Sequence, residues 1–287
     1  MAPHPFRIIN VFTQGAAPLS GNALCVFENG ESMSDRQMQA LARQFNLSET
    51  TFLLPSARAD ARVRIFTPDY EMPFAGHPTL GSAYVCRALK LGGDELVLEM
   101  SAGLVSVRAQ GSRWTLKALS ATWRGLDVSR AELAAAIGLE EQDIGDEPLW
   151  VKAGKEQLIV PLTSTHAVQR AQPVPSKLKN IRSDEGQSAA YVFCLSGSDS
   201  KDSAEALARF FFPAGGAILE DPATGSATAN FGGWCLAMKR PLPVKLKISQ
   251  GEMAGRPSWL FLDVTREREI LVGGDVVEIG RGTISLD

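Results

Sequence analysis

Two short segments place an ionisable residue directly before a proline: His77-Pro78-Thr79-Leu80-Gly81-Ser82-Ala83 and Asp221-Pro222-Ala223-Thr224-Gly225-Ser226-Ala227. A proline suits the first turn of a helix, and a glycine lets backbone approach closely. A helix start presents unpaired N–H groups and the positive end of the dipole, so Gly76-His77-Pro78-Thr79 and Thr224-Gly225-Ser226-Ala227 are candidate anion holders suited to a carboxylate. A histidine and a carboxylate held across a dry cleft form a proton-transfer pair whose pKa values burial can tune. Of the three histidines, His77 carries this reading; His4 is expected in a loose terminus and His166 in a Thr-Ser-Thr-His loop.

The two segments agree at four of seven positions at an offset of 144 residues. Upstream, Arg64-Ile65-Phe66-Thr67-Pro68 recurs as Arg209-Phe210-Phe211-Phe212-Pro213 at an offset of 145, in the same order along the chain. Together they suggest a duplication. A duplicated domain pairs with its copy about a pseudo-two-fold axis, and clefts between domains are where small ligands bind, so His77 is expected to face Asp221.

These residues must be positioned by strands and a few helices. Alternating apolar runs predict strands at Ile8–Phe12, Thr51–Leu54, Val63–Phe66, Leu96–Leu98, Leu104–Val107, Trp114–Leu116, Leu158–Val160, Tyr191–Phe193, Val244–Ile248 and within Trp259–Ile284. Ser34 with Gln37 makes a capping box before a helix with Met38, Leu41, Ala42 and Phe45 on one face, stopped at Asn46. Ser129 with Glu132 opens a second helix that ends at Gly138. Thr79–Leu89 and Ala223–Met238 are helical stretches without a polar face, and such helices must be surrounded by protein. Strands around buried helices imply an α+β protein.

Composition narrows the classes. The chain has 287 residues, long for a single core, so two domains are expected. With 45% apolar residues and a net charge of -3, it has a globular balance and no basic stripe for nucleic acid. Cys25, Cys86, Cys194 and Cys235 form neither a metal or redox pair nor a disulfide ladder, and buried reduced thiols in a cytoplasmic protein are expected. The first residues have no apolar signal core and no run of 18 apolar residues occurs, which argues against export and membrane spanning. Dinucleotide, phosphate-loop, zinc-hydrolase and esterase motifs are absent.

Asn46-Leu47-Ser48-Glu49-Thr50, Arg64–Pro68, Pro73–Gly81, Glu220–Ala227, Gln250-Gly251 and Gly255-Arg256-Pro257-Ser258 resemble the phenazine-biosynthesis PhzF-like isomerases. The resemblance spans nearly the whole chain. It implies a diaminopimelate epimerase-like fold, in which two pseudo-symmetric domains each wrap a curved sheet around a central helix. The expected ranges are 1–118, with the C-terminal strand as an open completion, and 119–287. It also implies proton transfer without cofactor or metal, with Glu49, His77, Asp221 and Ser226 as the catalytic set. Taken alone, Glu49 is one acid after a capped helix; the resemblance makes it the base. Asn22, Gly76, Thr79, Thr224, Gly225 and Ala227 are expected to bind substrate.

The chain departs from the family pattern in having Asn10 for an aspartate, and Ala23 for a proline after Gly21-Asn22. The expected activity is movement of a proton between carbons of a small carboxylate-bearing metabolite, with trans-2,3-dihydro-3-hydroxyanthranilate as the specific candidate and a homodimer as the assembly. Amino-acid racemisation by Glu, His and Asp instead of thiols, or metabolite binding without catalysis, are the alternatives. Two-thiol racemisation is disfavoured because Cys86 and Cys235 lie 9 and 14 residues beyond His77 and Asp221.

Overall fold

A computed structural model of the chain describes residues 3–15, 17–196 and 204–286. Met1 and Ala2, read above with the N-terminal segment, lie outside these. The chain divides into two compact units, Met1–Lys117 with Gly273–Asp287, and Ala118–Val272. The range 119–287 expected for the C-terminal domain therefore ends at Val272, because the closing strand pairs within the first unit.

Unit 1 holds β1 (His4–Thr13), β2 (Asn22–Phe27), α1 (Asp35–Phe45), β3 (Glu49–Leu54), β4 (Ala61–Phe66), β5 (Glu71–Met72), α2 (Gly76–Ala88), β6 (Glu95–Met100), β7 (Gly103–Gln110) and β8 (Arg113–Lys117). Unit 2 holds β9 (Thr122–Arg124), α3 (Arg130–Ala136), β10 (Leu149–Lys152), β11 (Glu156–Pro161), α4 (Thr165–Arg170), α5 (Pro175–Leu178), β12 (Ala190–Ser196), β13 (Ala204–Ala214), β14 (Ala217–Asp221), α6 (Gly225–Ala237), β15 (Val244–Gln250) and β16 (Ser258–Val264). The last strand, β17 (Ile270–Ile284), begins in unit 2 and ends in unit 1.

The strands of unit 1 close on themselves. β1 pairs antiparallel with β2, β2 parallel with β3, β3 antiparallel with β4, and β4 parallel with β6. β6, β7 and β8 continue antiparallel, and β17 joins β8 to β1. Helix α2 touches β1, β2, β3, β4, β6, β7 and β8, so the barrel wraps it. Gly81 brings its backbone against Leu24, Ile9 and Val11, where a Cβ would collide with the first two side chains and crowd the third.

Unit 2 repeats this order with the same sense of each pairing. β10 and β11 are antiparallel, β11 and β12 parallel, β12 and β13 antiparallel, β13 and β15 parallel, and β15 and β16 antiparallel. Helix α6 takes the place of α2 and packs on β9, β10, β11 and β16, its Phe231 ring 4.0 Å from that of Phe193.

The repeated Arg-x-Phe segment has one structural meaning in both units. Arg64 Nε and Nη2 donate to both oxygens of Glu71, at 2.8 and 2.6 Å, and the guanidinium lies 5.0 Å from the Phe66 ring centre. Arg209 Nε and Nη2 likewise donate to Glu220 at 3.1 and 2.7 Å, with its guanidinium 4.6 Å from the Phe211 ring centre. Phe66 pairs with Glu71 and Phe211 with Glu220, so the second hairpin is four residues longer. This lengthening shifts the helix register: α2 starts at Gly76 and α6 at Gly225, an offset of 149. Cys86 then matches Cys235, and Lys90 matches Lys239, both with positive φ just beyond their helices. The match of His77 to Asp221 at offset 144 is therefore corrected: His77, second residue of α2, corresponds to Ser226, second residue of α6.

Both capping boxes form as expected. Ser34 Oγ accepts from Gln37 N while Gln37 Oε1 accepts from Ser34 N, and Asn46 ends α1 at φ 52°. Ser129 and Glu132 do the same for α3, and Gly138 follows with φ 72°. His4 opens β1 opposite Ile284, and His166 lies in α4, so neither is in the irregular segment expected. Among the described residues no helix is long and apolar enough to cross a membrane.

Arg209 is nearly enclosed and also donates through Nη1 to the carbonyls of Val168, Gln169 and Ala171, whereas one partner of Arg64, Asp35, is exposed. Replacing Arg209 by Leu leaves half-buried Glu220 without its counter-charge and three backbone carbonyls without their donor, and should cost ~3 kcal/mol. The equivalent Arg64→Leu should cost about 1–2 kcal/mol, because water can reach its acids. Urea unfolding of the two variants measures the difference.

Candidate active site

Glu49 is the first residue of β3 and stands beside Leu24 of β2. The left-handed stop at Asn46 turns the chain from α1 into this strand, which places the carboxylate at its mouth and not in a solvated loop. His77 is held in the first turn of α2, where Pro78 is tolerated because its missing N–H would lack an intrahelical partner anyway. His77 Nε2 lies 3.4 Å from Glu49 Oε2, with the two side chains 7% and 15% exposed.

Burial pushes the His77 pKa down to about 3, partly opposed by a hydrogen bond to the backbone of Ala23. At neutral pH the ring is uncharged and its Nε2 lies toward Glu49, so the contact is not an ion pair. The separation is slightly beyond hydrogen-bond length, so a small closing movement, or a group between the two, suffices to pass a proton.

In unit 2, Asp221 ends β14 and Thr224 precedes α6. Thr224 Oγ1 donates to Asp221 Oδ2 at 2.5 Å, and Gln250 Nε2 donates to the Asp221 carbonyl at 2.9 Å and to Thr224 Oγ1 at 3.0 Å. The fully buried Gln250 also accepts from Thr224 N through Oε1 at 3.3 Å, so it ties the whole Asp221-Pro-Ala-Thr224 turn. Ser226 Oγ, half-buried, accepts from Gln157 Nε2 at 3.1 Å. The polarity of Gln250, Gln157 and Asn230 amid buried neighbours is the signal by which sequence reasoning could have found them.

The expected substrate-binding positions separate into two kinds. Gly76, Gly225 and Ala227 occupy first turns whose N–H groups have no partner within the helix, since the first such bonds come from Thr79 N and Thr228 N. Asn22 is buried at the start of β2 opposite Val11. Thr79 differs from expectation: its N–H and its hydroxyl both donate to the Ala75 carbonyl, at 3.2 and 2.6 Å, so it caps the turn and has no donor for an anion. Thr224 binds Asp221 and Gln250 through its side chain. The four cysteines are buried and unbridged, and burial pushes the thiols of Cys86 and Cys235 up to about 12, far from thiolate chemistry at neutral pH.

A family model described as "Phenazine biosynthesis-like protein" matches residues 9–282. A relative from Pasteurella multocida, named an uncharacterized isomerase, is 36% identical over 99% of this chain and 95% of its own length. A trans-2,3-dihydro-3-hydroxyanthranilate isomerase from Pseudomonas fluorescens is 33% identical over 99% of this chain and 100% of its own. The crystal structure of a PhzF-family phenazine biosynthesis protein from Bacillus anthracis superposes with a TM-score of 0.87 at 24% identity, covering 100% of both chains, a likeness of fold.

The buried neutral imidazole has a consequence for stability. Its folded pKa of about 3 lies below the unfolded value of 6.5, so its contribution is fully present above 6.5 and is lost as pH falls toward 3. Below about pH 6 His77 should cost the native state ~1.4 kcal/mol per pH unit. Urea unfolding of wild type and His77→Gln between pH 7 and 4.5 should show the extra slope in wild type only.

Proposed function

The chain belongs to the phenazine biosynthesis-like family, and from that premise we propose that it is an isomerase that moves a proton between two carbons of a small carboxylate-bearing metabolite. The observation that carries this reading is the pair of a half-buried Glu49 and a buried, uncharged His77 whose Nε2 lies 3.4 Å from the carboxylate. In this reading Glu49 takes a proton from a carbon beside an unsaturated or carboxylate-bearing centre and returns one to another carbon. His77, neutral at working pH, exchanges protons with Glu49 through Nε2, giving one back for each it takes, so that Glu49 has a proton to return. Within unit 2, Asp221, held by Thr224, and Ser226 are the groups suited to polar atoms of a substrate, and the N–H groups at each helix start, Gly76 in α2 and Gly225 and Ala227 in α6, are suited to a carboxylate.

Acid–base groups supply the whole transfer, so the reading needs no cofactor. Trans-2,3-dihydro-3-hydroxyanthranilate is the candidate substrate, supported by the name of the Pseudomonas fluorescens relative at 33% identity. One helix enclosed by strands in each unit supports a diaminopimelate epimerase-like description of the fold. Buried free thiols suit a reducing cytoplasm, and a homodimer, the commonest closed assembly, completes the reading. Racemisation of an amino acid would use the same base and is separated by chiral chromatography of the product.

Glu49→Gln keeps the shape of the side chain and removes the base. It should lower kcat on trans-2,3-dihydro-3-hydroxyanthranilate by ~10²–10⁴ and leave KM within a few-fold. Wild-type turnover by the variant would overturn the assignment.

A further inference from the structure

A chain of buried amides leads from the backbone of unit 2 to Ser226. Ala153 N donates to Asn230 Oδ1 at 2.7 Å; Asn230 Nδ2 donates to the Lys155 carbonyl at 2.9 Å and to Gln157 Oε1 at 2.8 Å; Gln157 Nε2 donates to Ser226 Oγ at 3.1 Å. Asn230 is fully enclosed and Gln157 is 3% exposed.

The direction of this relay is set at its far end. A backbone N–H can only donate and a carbonyl can only accept, so Ala153 and Lys155 permit one orientation of the Asn230 amide. Its NH₂ then meets Gln157, which must present Oε1 to Asn230 and therefore Nε2 to Ser226. A serine hydroxyl has one proton to donate and two lone pairs. With Gln157 filling an accepting position, and no acceptor for the Ser226 proton among the described residues, the hydroxyl is left with a proton to give.

The duplicated unit shows that the fold does not require this relay. Pairing through Phe66 and Phe211 aligns Thr50 with Ala190 and Cys25 with Leu158, so the counterpart of Gln157 is Leu24. The helix register aligns Asn230 with Gly81. In unit 1 Leu24 packs directly against Gly81, and the same place is filled without a polar atom.

We propose that Gln157 and Asn230 are positioning residues that fix the Ser226 hydroxyl as a hydrogen-bond donor, so that the substrate group it meets is an acceptor oxygen, as in a carboxylate. This rests on the reading of Ser226 as a substrate-binding residue. Gln157→Glu preserves shape but offers acceptors only, so Ser226 turns to donate to the introduced carboxylate and is lost to the substrate.

The test combines kinetics on trans-2,3-dihydro-3-hydroxyanthranilate, titration with the non-reacting anthranilate, and amide NMR without ligand. Gln157→Glu should weaken binding and raise KM by about tenfold, match Ser226→Ala, and add nothing to it in the double variant. Lowering the pH should restore affinity in Gln157→Glu, as the introduced carboxyl gains a proton to donate, but not in Ser226→Ala. Gln157→Leu, which copies unit 1, should fold and show the same loss. Unchanged KM and pH dependence in a folded Gln157→Glu would overturn the proposal, as would tighter binding, which would make Ser226 an acceptor. In the ligand-free arm, Ser226→Ala should shift the Gln157 side-chain amide and speed its hydrogen exchange; an unmoved amide overturns the relay. If wild type neither binds nor converts either compound, the functional reading fails while the amide arm still decides the relay.

Discussion

Helices α2 and α6 have no polar face over most of their length, so water cannot be their environment, and the strands of each unit take their places from the need to cover one of them. In unit 1 this need closes β1, β2, β3, β4, β6, β7, β8 and β17 around α2. Covering the body of the helix leaves its first turn at the strand ends, with N–H groups that no helical carbonyl can satisfy. The polar residues argued to be functional collect there: His77 and Ser226 one residue inside the helix starts, Asp221 at the end of the preceding strand, and Glu49 at the mouth of a covering strand.

A common frame carries different chemistry in its two copies. The position of Glu49 is Ala189 in unit 2, that of His77 is Ser226, and that of Asp221 is Met72 in unit 1. Apolar Leu24 and Gly81 stand where unit 2 has Gln157 and Asn230. Unit 1 thus has a half-buried carboxylate beside a buried imidazole, while unit 2 has a carboxylate tied by Thr224 and a hydroxyl oriented by buried amides. Burial decides the state of His77: desolvation outweighs the Ala23 hydrogen bond, so the ring is an uncharged proton acceptor.

Features encoded within a few residues were legible in the sequence. Both capping boxes and the Asn46 stop depend on side chains reaching backbone three or four positions away, and most predicted strands lie inside observed ones. Pro78 misplaced the start of α2, since proline is tolerated anywhere in the first turn and the helix begins two residues before it. The Arg-x-Phe repeat reported a shared hairpin, but the helix-start match did not survive the longer β13–β14 turn, which no local pattern announces. The base, Glu49, was visible only through family resemblance, because its partner is 28 residues away. Gln157 and Asn230 meet across 73 residues, and their pairing leaves no trace in spacing.

The central claim is that this chain breaks and remakes a carbon–hydrogen bond through Glu49. Its most direct test is incubation of wild type and Glu49→Gln with trans-2,3-dihydro-3-hydroxyanthranilate in deuterated water, with NMR following carbon-bound deuterium. Wild type should place deuterium on the carbon that gains a proton, and the variant should not. Isomerisation by wild type without deuterium, under conditions where Glu49 exchanges with solvent, or equal incorporation by the variant, would contradict the account.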